Sequence, residues 1–184
     1  MSYSFEKVMK MKKVIKAVNF AALAHKDQKR KDIEQTPYIN HPLKVADILI
    51  DNGIEDEDTI VAAILHDVIE DTDFCYDDIV CDFSKEIADL VLEVSDDKSL
   101  PKDERKRLQI EHAPFLSDKA KLIKIADKIA NLEDILFSAP VGWTKERRIK
   151  YFEWANEVVK GAKGINKMLD DDFDKIYSFK LKRF

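Results

Sequence analysis

A histidine and three acids lie close together, at His66, Asp67, Glu70 and Asp71, directly after an apolar run. If this run is helical, its 3.6-residue period places His66 beside Glu70 and Asp67 beside Asp71. Carboxylates near the C-terminal end of a helix face the negative end of its dipole, and burying them without partners is costly. A bound cation would offset both costs, so this segment predicts a metal site.

A metal site needs ligands from more than one element, and two further residues have the required character. His41 precedes Pro42 at the predicted start of a helix, and Asp127 lies among apolar residues in the middle of another. With His66 and Asp67 they make a set of two imidazoles and two carboxylates. Such a set suits Mn²⁺, Fe²⁺, Zn²⁺ or Co²⁺ better than a thiolate-preferring metal, and the residue types do not select one of these ions.

Helical periodicity predicts the elements that carry these residues, and no segment has the alternation of a convincing strand. Pro42 fits the first turn of a helix, Thr144 fits a helix start, and Gly161 fits a helix end. The predicted helices cover residues 8–29, 42–51, 58–71, 76–83, 85–94, 103–113, 118–137 and 144–160, with a frayed helical tail from residue 166. The predicted fold class is therefore all-α.

Composition limits the kinds of partner that the chain can bind. Its 184 residues are 45% hydrophobic and 36% charged, with a formal net charge of −5. The length is enough for a buried core, while the negative charge argues against binding to a nucleic-acid polymer or to an anionic membrane. No apolar stretch approaches the roughly 18 residues of a membrane span, and no signal peptide is apparent. We expect a cytoplasmic protein and leave its oligomeric state open.

Several sequence motifs together resemble a known family. The pattern of His41, the adjacent pair His66 and Asp67, and the distant Asp127 is similar to that of HD-domain metal phosphohydrolases. Longer motifs resemble the hydrolase domain of the RelA/SpoT family, and especially its stand-alone small alarmone hydrolases of the metazoan type. These motifs cover residues 24–31, 36–42, 65–72, 96–102, 104–109, 123–132 and 151–155. The resemblance extends over about residues 8–170 and implies an HD-domain helical bundle, with one HD-type hydrolase domain over residues 1–184 and no synthetase domain.

The resemblance implies an activity and a role for each matched residue. The activity is hydrolysis of the 3′-diphosphate of guanosine tetra- and pentaphosphate (ppGpp and pppGpp) to pyrophosphate and GDP or GTP. One Mn²⁺, or another divalent ion, would be held by His41, His66, Asp67 and Asp127. Glu70 and Asp71 would orient and deprotonate the attacking water. The expected substrate contacts are Arg30, Lys31, Tyr38, Asn131, Lys102 and Tyr151.

Some of these assignments have plainer alternatives. Lys102 also fits a solvated helix face, and Tyr151 also fits a packed core. Glu133 departs from the family pattern, because relatives often carry Arg after the Asn-Leu pair. Two other functions remain open: an HD-type nucleotide phosphatase, such as one that removes the 2′-phosphate of NADPH, and a nucleotide-binding regulator without turnover.

Overall fold

The structure is a computed structural model that describes the backbone of residues 2–180 and the side chains of residues 8, 9 and 11–180. The backbone it describes forms ten α-helices and no strand, which confirms the all-α prediction. The helices are α1 (Ser2–Ala24), α2 (Asn40–Asp51), α3 (Glu57–Leu65), α4 (Val68–Asp71), α5 (Tyr76–Asp82), α6 (Lys85–Val94), α7 (Lys102–His112), α8 (Asp118–Phe137), α9 (Lys145–Ala162) and α10 (Lys167–Ser178). None of these helices combines the length and the apolar character needed to cross a membrane.

Helix α3 lies at the centre of the fold, as its apolar sequence predicts. It packs against α1, α2, α6 and α8, and its residues from Thr59 to Leu65 are all buried. Asp56 caps its start, since its carboxylate accepts hydrogen bonds from the Thr59 amide at 2.9 Å and the Thr59 hydroxyl at 2.6 Å. A helix that is apolar on every side is stable only when other helices surround it. Its end is therefore fixed inside the bundle.

The prediction of one continuous helix over residues 58–71 is wrong. Helix α3 ends at Leu65, and α4 begins at Val68 after a turn at His66 and Asp67. The Nδ1 atom of His66 lies 2.7 Å from the carbonyl oxygen of Ala63. A continuing helix would use that oxygen to accept from the amide of Asp67. The imidazole takes this acceptor, and the backbone of Asp67 leaves the helix with φ −95° and ψ −3°.

The predicted end of the first helix is also wrong, because α1 stops at Ala24 rather than near Lys29. Beyond it the chain folds back as a loop. The amide of Arg30 donates to the carbonyl of Thr36 at 2.8 Å, and the amide of Tyr38 donates to that of Gln28 at 3.1 Å. This loop, residues 25–39, brings basic and aromatic side chains to the end of α3.

The C-terminal region differs from prediction in two further ways. Gly161 lies inside α9 rather than after it, and a Cβ added there would meet Pro114 Cδ at 2.9 Å. The glycine therefore permits close packing instead of ending the helix. Helix α10 is docked on the bundle rather than frayed, because its Leu169 and Phe173 are fully buried.

Candidate metal centre and adjoining pocket

The predicted metal ligands converge where α2, α8 and the end of α3 meet. His41 is on α2, Asp127 is on α8, and His66 and Asp67 form the turn after α3. The Nε2 atom of His41 lies 3.1 Å from Asp127 Oδ1 and 3.8 Å from Asp67 Oδ2. The Nε2 atom of His66 lies 3.2 Å from Asp67 Oδ2 and 3.9 Å from Asp127 Oδ1. One atom each from His41, His66 and Asp127 lies within 4.8 Å of the others, a spacing that could hold a metal ion.

The orientation of the His66 ring fits a metal ligand, because it directs Nε2 toward the cluster. Its Nδ1 must donate to the Ala63 carbonyl, which can only accept, so in the neutral ring Nε2 carries the lone pair. This Nε2 atom is buried and makes no hydrogen bond to any residue in the described part of the chain. Burial lowers the pKa of His66, but the charges of Asp67 and Asp127 outweigh it and raise the pKa to about 9. The carboxylates that favour a proton here also favour a bound cation.

Asp127 stays ionised although it is buried. Burial alone would raise its pKa, but the charge of Lys128 and a hydrogen bond with His41 hold the pKa well below its usual range. The Lys128 ammonium lies 2.8 Å from Asp127 Oδ2, and Asn131 Nδ2 donates to Oδ1 at 2.6 Å. Asp127 is thus a carboxylate with its position fixed from both sides.

The two acids proposed to act on water lie on α4, one turn beyond the ligands. Burial raises the pKa of Glu70, whose Oε2 accepts from the backbone amide of Asp96 at 3.0 Å. The Asp71 carboxylate lies 2.5 Å from the ammonium of Lys98, which is also 3.1 Å from Glu70. A carboxylate with a raised pKa suits proton transfer near neutral pH.

Tyr38 joins this acid pair to the metal ligands. Its hydroxyl lies 2.7 Å from Asp67 Oδ2 and 3.2 Å from Asp71 Oδ2. Burial and the charge of Asp67 raise the pKa of Tyr38, so the phenol remains a hydrogen-bond donor. Its ring lies 4.8 Å from that of His25, a buried residue at the start of the 25–39 loop. Tyr38 therefore touches acids of the centre, beyond the substrate role expected from the sequence.

Two cavities adjoin each other at this site. The metal cavity is about 160 Å³ and contains His41, His66, Asp67, Glu70 and Asp127 in its lining. The neighbouring pocket is about 220 Å³ and is lined by the expected contacts Arg30, Lys31, Tyr38, Asn131 and Tyr151, together with Trp143. Asn131 and Tyr151 line both cavities. A ligand can therefore occupy the pocket and reach the metal cavity.

Arg30 is held in this pocket by polar contacts. Its guanidinium lies 2.5 Å from Asp134 Oδ2 and 3.3 Å from Asn131 Oδ1, and it lies 5.6 Å from the centre of the Tyr38 ring. Burial raises the pKa of Tyr151 to about 12, so this phenol is neutral in the pocket wall. The pocket thus offers a planar cation, aromatic faces and an amide.

Two residues lie outside the pocket. Lys102 is exposed at the start of α7 and lines neither cavity, so its substrate contact stays a prediction. Glu133 lies 3.0 Å from Lys44, which also lies 2.9 Å from Asp134. Glu133, which departs from the family pattern, therefore forms an ion pair with Lys44.

Sequence reasoning missed two cations that contact the site. Lys128 is buried, pairs with Asp127 and lies 4.7 Å from the centre of the Trp154 ring. Its position next to Asp127, among apolar residues of α8, could have indicated that Lys128 is buried as a partner of that acid. A lysine on a helix is usually exposed to solvent, however, and so this was not predicted. Lys98 lies in a loop, and nothing in its local sequence links it to α4.

The fold and the His/Asp cluster together define a class of protein, the HD-domain hydrolases. A model of the HD domain matches residues 17–150. The chain therefore belongs to the HD-domain family. Membership of this family, together with the cluster of His41, His66 and Asp127, indicates a divalent-metal site.

Comparison with individual proteins gives a closer relationship. Guanosine-3′,5′-bis(diphosphate) 3′-pyrophosphohydrolase MESH1 of Xenopus tropicalis is 52% identical over 165 residues, which cover 89% of this chain and 92% of that protein. The protein of the same name from Homo sapiens is 51% identical over 159 residues, covering 86% and 89% of the two chains. A solved structure of a metazoan SpoT orthologue that hydrolyses ppGpp superposes with a TM-score of 0.88 at 47% identity, covering 92% of this chain and 95% of that one.

Proposed function

We propose that this chain is a metal-dependent guanosine-3′,5′-bis(diphosphate) 3′-pyrophosphohydrolase, acting on ppGpp and also on pppGpp. The observation that carries the proposal is the adjacency of the two cavities, which share Asn131 and Tyr151. A nucleoside in the first pocket would extend a phosphate group into the second, where the His/Asp cluster and Glu70 lie, with Asp71 next to Glu70 on α4. The similarity to MESH1 proteins supports the same substrate.

Each part of the site has a role in this proposal. His41, His66, Asp67 and Asp127 hold one divalent ion, and we favour Mn²⁺ because its ligands would include two hard carboxylates. When bound, such an ion lowers the pKa of a water molecule and polarises a phosphate oxygen. Arg30 stacks on the guanine through its planar guanidinium, assisted by Tyr38 and Lys31. Asn131 donates to the nucleotide at the boundary between the cavities, Tyr151 packs beside it, and Lys102 meets the phosphates from outside.

The acid pair carries the proton in the reaction. Glu70 and Asp71 orient a water molecule and accept one of its protons, while the water oxygen bonds to the phosphorus attached to the 3′ oxygen. The bond between that phosphorus and the 3′ oxygen breaks, and the 3′ oxygen takes up a proton. The products are pyrophosphate and GDP from ppGpp, or GTP from pppGpp. The raised pKa of Glu70 suits it to this exchange.

Product identification tests the substrate. The protein is stripped of metal with EDTA, reloaded with Mn²⁺, and incubated with ppGpp and in parallel with NADPH. We expect GDP and pyrophosphate from ppGpp, separated by anion-exchange chromatography. Phosphate and NADH, formed from NADPH alone, would contradict the proposal in favour of a 2′-phosphatase. Tight binding without products from either compound would indicate a regulator instead.

The metal assignment has its own test. Asp127→Ala should abolish Mn²⁺ binding, measured by elemental analysis, and should also abolish activity, because it deletes a carboxylate of the cluster. Asp118→Ala is the matched control, since Asp118 is an exposed acid at the other end of α8. Full metal content and activity in the Asp127 variant would rule out the proposed ligand set. Adding back Mn²⁺, Fe²⁺, Zn²⁺ and Co²⁺ separately to the stripped protein should restore most activity with Mn²⁺.

A further inference from the structure

The loop between α6 and α7, residues 95–101, reaches the two catalytic acids. Its Asp96 amide donates to Glu70 Oε2 at 3.0 Å, and the Asp96 carboxylate accepts from Gln109 Nε2 at 2.7 Å. Two residues further on, the Lys98 ammonium lies 3.1 Å from Glu70 Oε1 and 2.5 Å from Asp71 Oδ1. Lys98 therefore bridges both acids from a loop that is anchored beside them.

Lys98 is more exposed than two other cations near the centre, Lys128 and Arg105. The side chain of Lys128 is 4% exposed and paired with Asp127, and that of Arg105 is 20% exposed between Glu70 and Asp96. The side chain of Lys98 is 45% exposed. Its flexible four-carbon stem can turn its ammonium away from the acids while the loop stays in place. Of these three cations, Lys98 is thus the one whose side chain is least enclosed and can most readily change partners.

The charge of the substrate gives Lys98 a second partner. A nucleotide 3′-diphosphate brings several negative charges toward Asp67, Glu70, Asp71 and Asp127, and these charges repel it. A cation near the acids reduces the repulsion and binds phosphate oxygens strongly. Attack at the first phosphorus leaves pyrophosphate, whose oxygens gain negative charge as the bond to the 3′ oxygen breaks.

We infer that Lys98 is the diphosphate-binding residue of this enzyme: it leaves Glu70 and Asp71 as substrate enters and holds the 3′-diphosphate through to pyrophosphate release. This inference rests on the proposed function. It adds to it a residue that binds the 3′-diphosphate of the substrate and does not contact the nucleoside. It predicts that Lys98 contributes to the affinity for pyrophosphate and not to the affinity for GDP.

Direct binding of the two products tests this division of roles. Calorimetric titrations with inorganic pyrophosphate and with GDP, at equal Mn²⁺ in cell and syringe, are made on wild type and on Lys98→Met. We expect pyrophosphate binding to weaken by about tenfold or more, as for loss of a charge-assisted hydrogen bond, with GDP binding unchanged. The KM for ppGpp should rise in parallel. Lys98→Arg should recover most of the pyrophosphate affinity, because it restores the positive charge.

Lys85→Met is the matched control. Lys85 is also a lysine paired with a carboxylate, 2.6 Å from Asp89, but it is 70% exposed at the far end of α6. Its variant should bind both products as wild type does.

A Lys98→Met protein with lower turnover but unchanged pyrophosphate affinity would overturn the inference, because Lys98 would then only position the acids. Equal loss of pyrophosphate and GDP binding, or a wild type that does not bind pyrophosphate, would overturn it as well. Pyrophosphate binding that depends on Lys98 in a protein that fails to hydrolyse ppGpp would refute the proposed function alone.

Discussion

The metal centre and the neighbouring pocket share a wall, yet they are held in different ways. The proposed ligands His41, His66 and Asp127 are at most 8% exposed; His41 and Asp127 lie on α2 and α8, and His66 lies in the turn directly after the buried helix α3. The pocket is lined largely by the 25–39 loop and by the segment around Pro140 and Trp143. These two segments are joined by a hydrogen bond from the Val141 amide to the Lys31 carbonyl at 2.8 Å. The proposed metal centre is thus positioned mainly by helix packing, and the proposed nucleoside pocket largely by loops.

This contrast predicts that substitutions fall into two groups. Variants of the metal centre should lower kcat or the free energy of unfolding, while their affinity for GDP stays the same. Variants of the pocket should weaken GDP binding and leave the chemical step intact. A variant that changed both by the same factor would show that the two cavities act as one unit.

The largest effect is expected at Asp71. Asp71→Asn keeps the shape of the side chain but removes the proton acceptor, so kcat should fall by about 10²–10⁴-fold. Bound Mn²⁺ and GDP affinity should not change, because Asp71 is outside the ligand cluster. Asp73→Asn, two residues along and exposed, should behave as wild type. Loss of metal or of GDP binding in the Asp71 variant would remove the distinction between acid pair and ligands.

The next effect is on stability, at the buried cation of the centre. Lys128→Met leaves Asp127 buried without its ion pair, so the metal-free protein should lose about 3 kcal/mol in free energy of unfolding. Bound Mn²⁺ should offset part of this loss, since it supplies positive charge to the same carboxylate. Thermal unfolding with and without Mn²⁺ would measure this, and the shift on adding metal should be larger in the variant. Equal shifts in the two proteins would mean that Lys128 does not balance the charge of Asp127.

A smaller effect is expected on the pocket side. Arg30→Ala should weaken GDP binding by about tenfold, because it removes a planar cation that stacks on the base. Arg30→Lys should recover little of it, since an ammonium has no planar face. Single-turnover rates at saturating ppGpp should stay near wild type for both. A fall in those rates with GDP affinity preserved would place Arg30 with the chemistry instead.

The smallest effect is expected on the free energy of unfolding, at Asp56, which caps the start of α3 away from both cavities. Partial burial of Asp56 would raise its pKa, but hydrogen bonds from Lys119 and Thr59 outweigh it and lower the pKa. An acid with a lowered folded-state pKa stabilises the fold above its unfolded pKa, and this contribution is lost as the pH falls through the folded-state value. Asp56→Ala should therefore cost about 1 kcal/mol at pH 7, the usual value of an N-cap, and less at about pH 3, below the unfolded-state pKa. Urea unfolding at the two pH values would check this, and a cost independent of pH would contradict it.

Much of the metal centre could be predicted because its residues have unusual surroundings. His41 before a proline, Asp127 within an apolar stripe, and acids at the end of an apolar run are visible in the sequence. Helices α2, α6 and α8 were predicted closely, since caps and periodicity agree there. The break after Leu65 was not predicted, because no glycine or proline marks it and its cause is a side-chain hydrogen bond from His66 to Ala63.

Other parts of the site depend on contacts between residues that are distant in sequence. The loop from residue 30 was predicted, but residues 25–29 favour a helix, so the early end of α1 could not be predicted from local preference. Lys98 and Glu70 belong to different elements, and only the packing of α6 and α7 brings them together. Sequence motifs therefore identified residues that the fold brings together at the proposed metal centre, and identified fewer of the residues that contact them.

Asn131 has a consequence for which substrates the enzyme can accept. Its Nδ2 donates to Asp127 at 2.6 Å and its Oδ1 accepts from Arg30 at 3.3 Å, so one side chain spans from the metal-ligand carboxylate to the nucleoside pocket. In the proposed site, this residue sets the separation between the pocket that would hold a base and the cavity in which a phosphorus would be attacked. We therefore expect nucleotides to be selected first by the distance from base to reactive phosphate, and only then by the identity of the base.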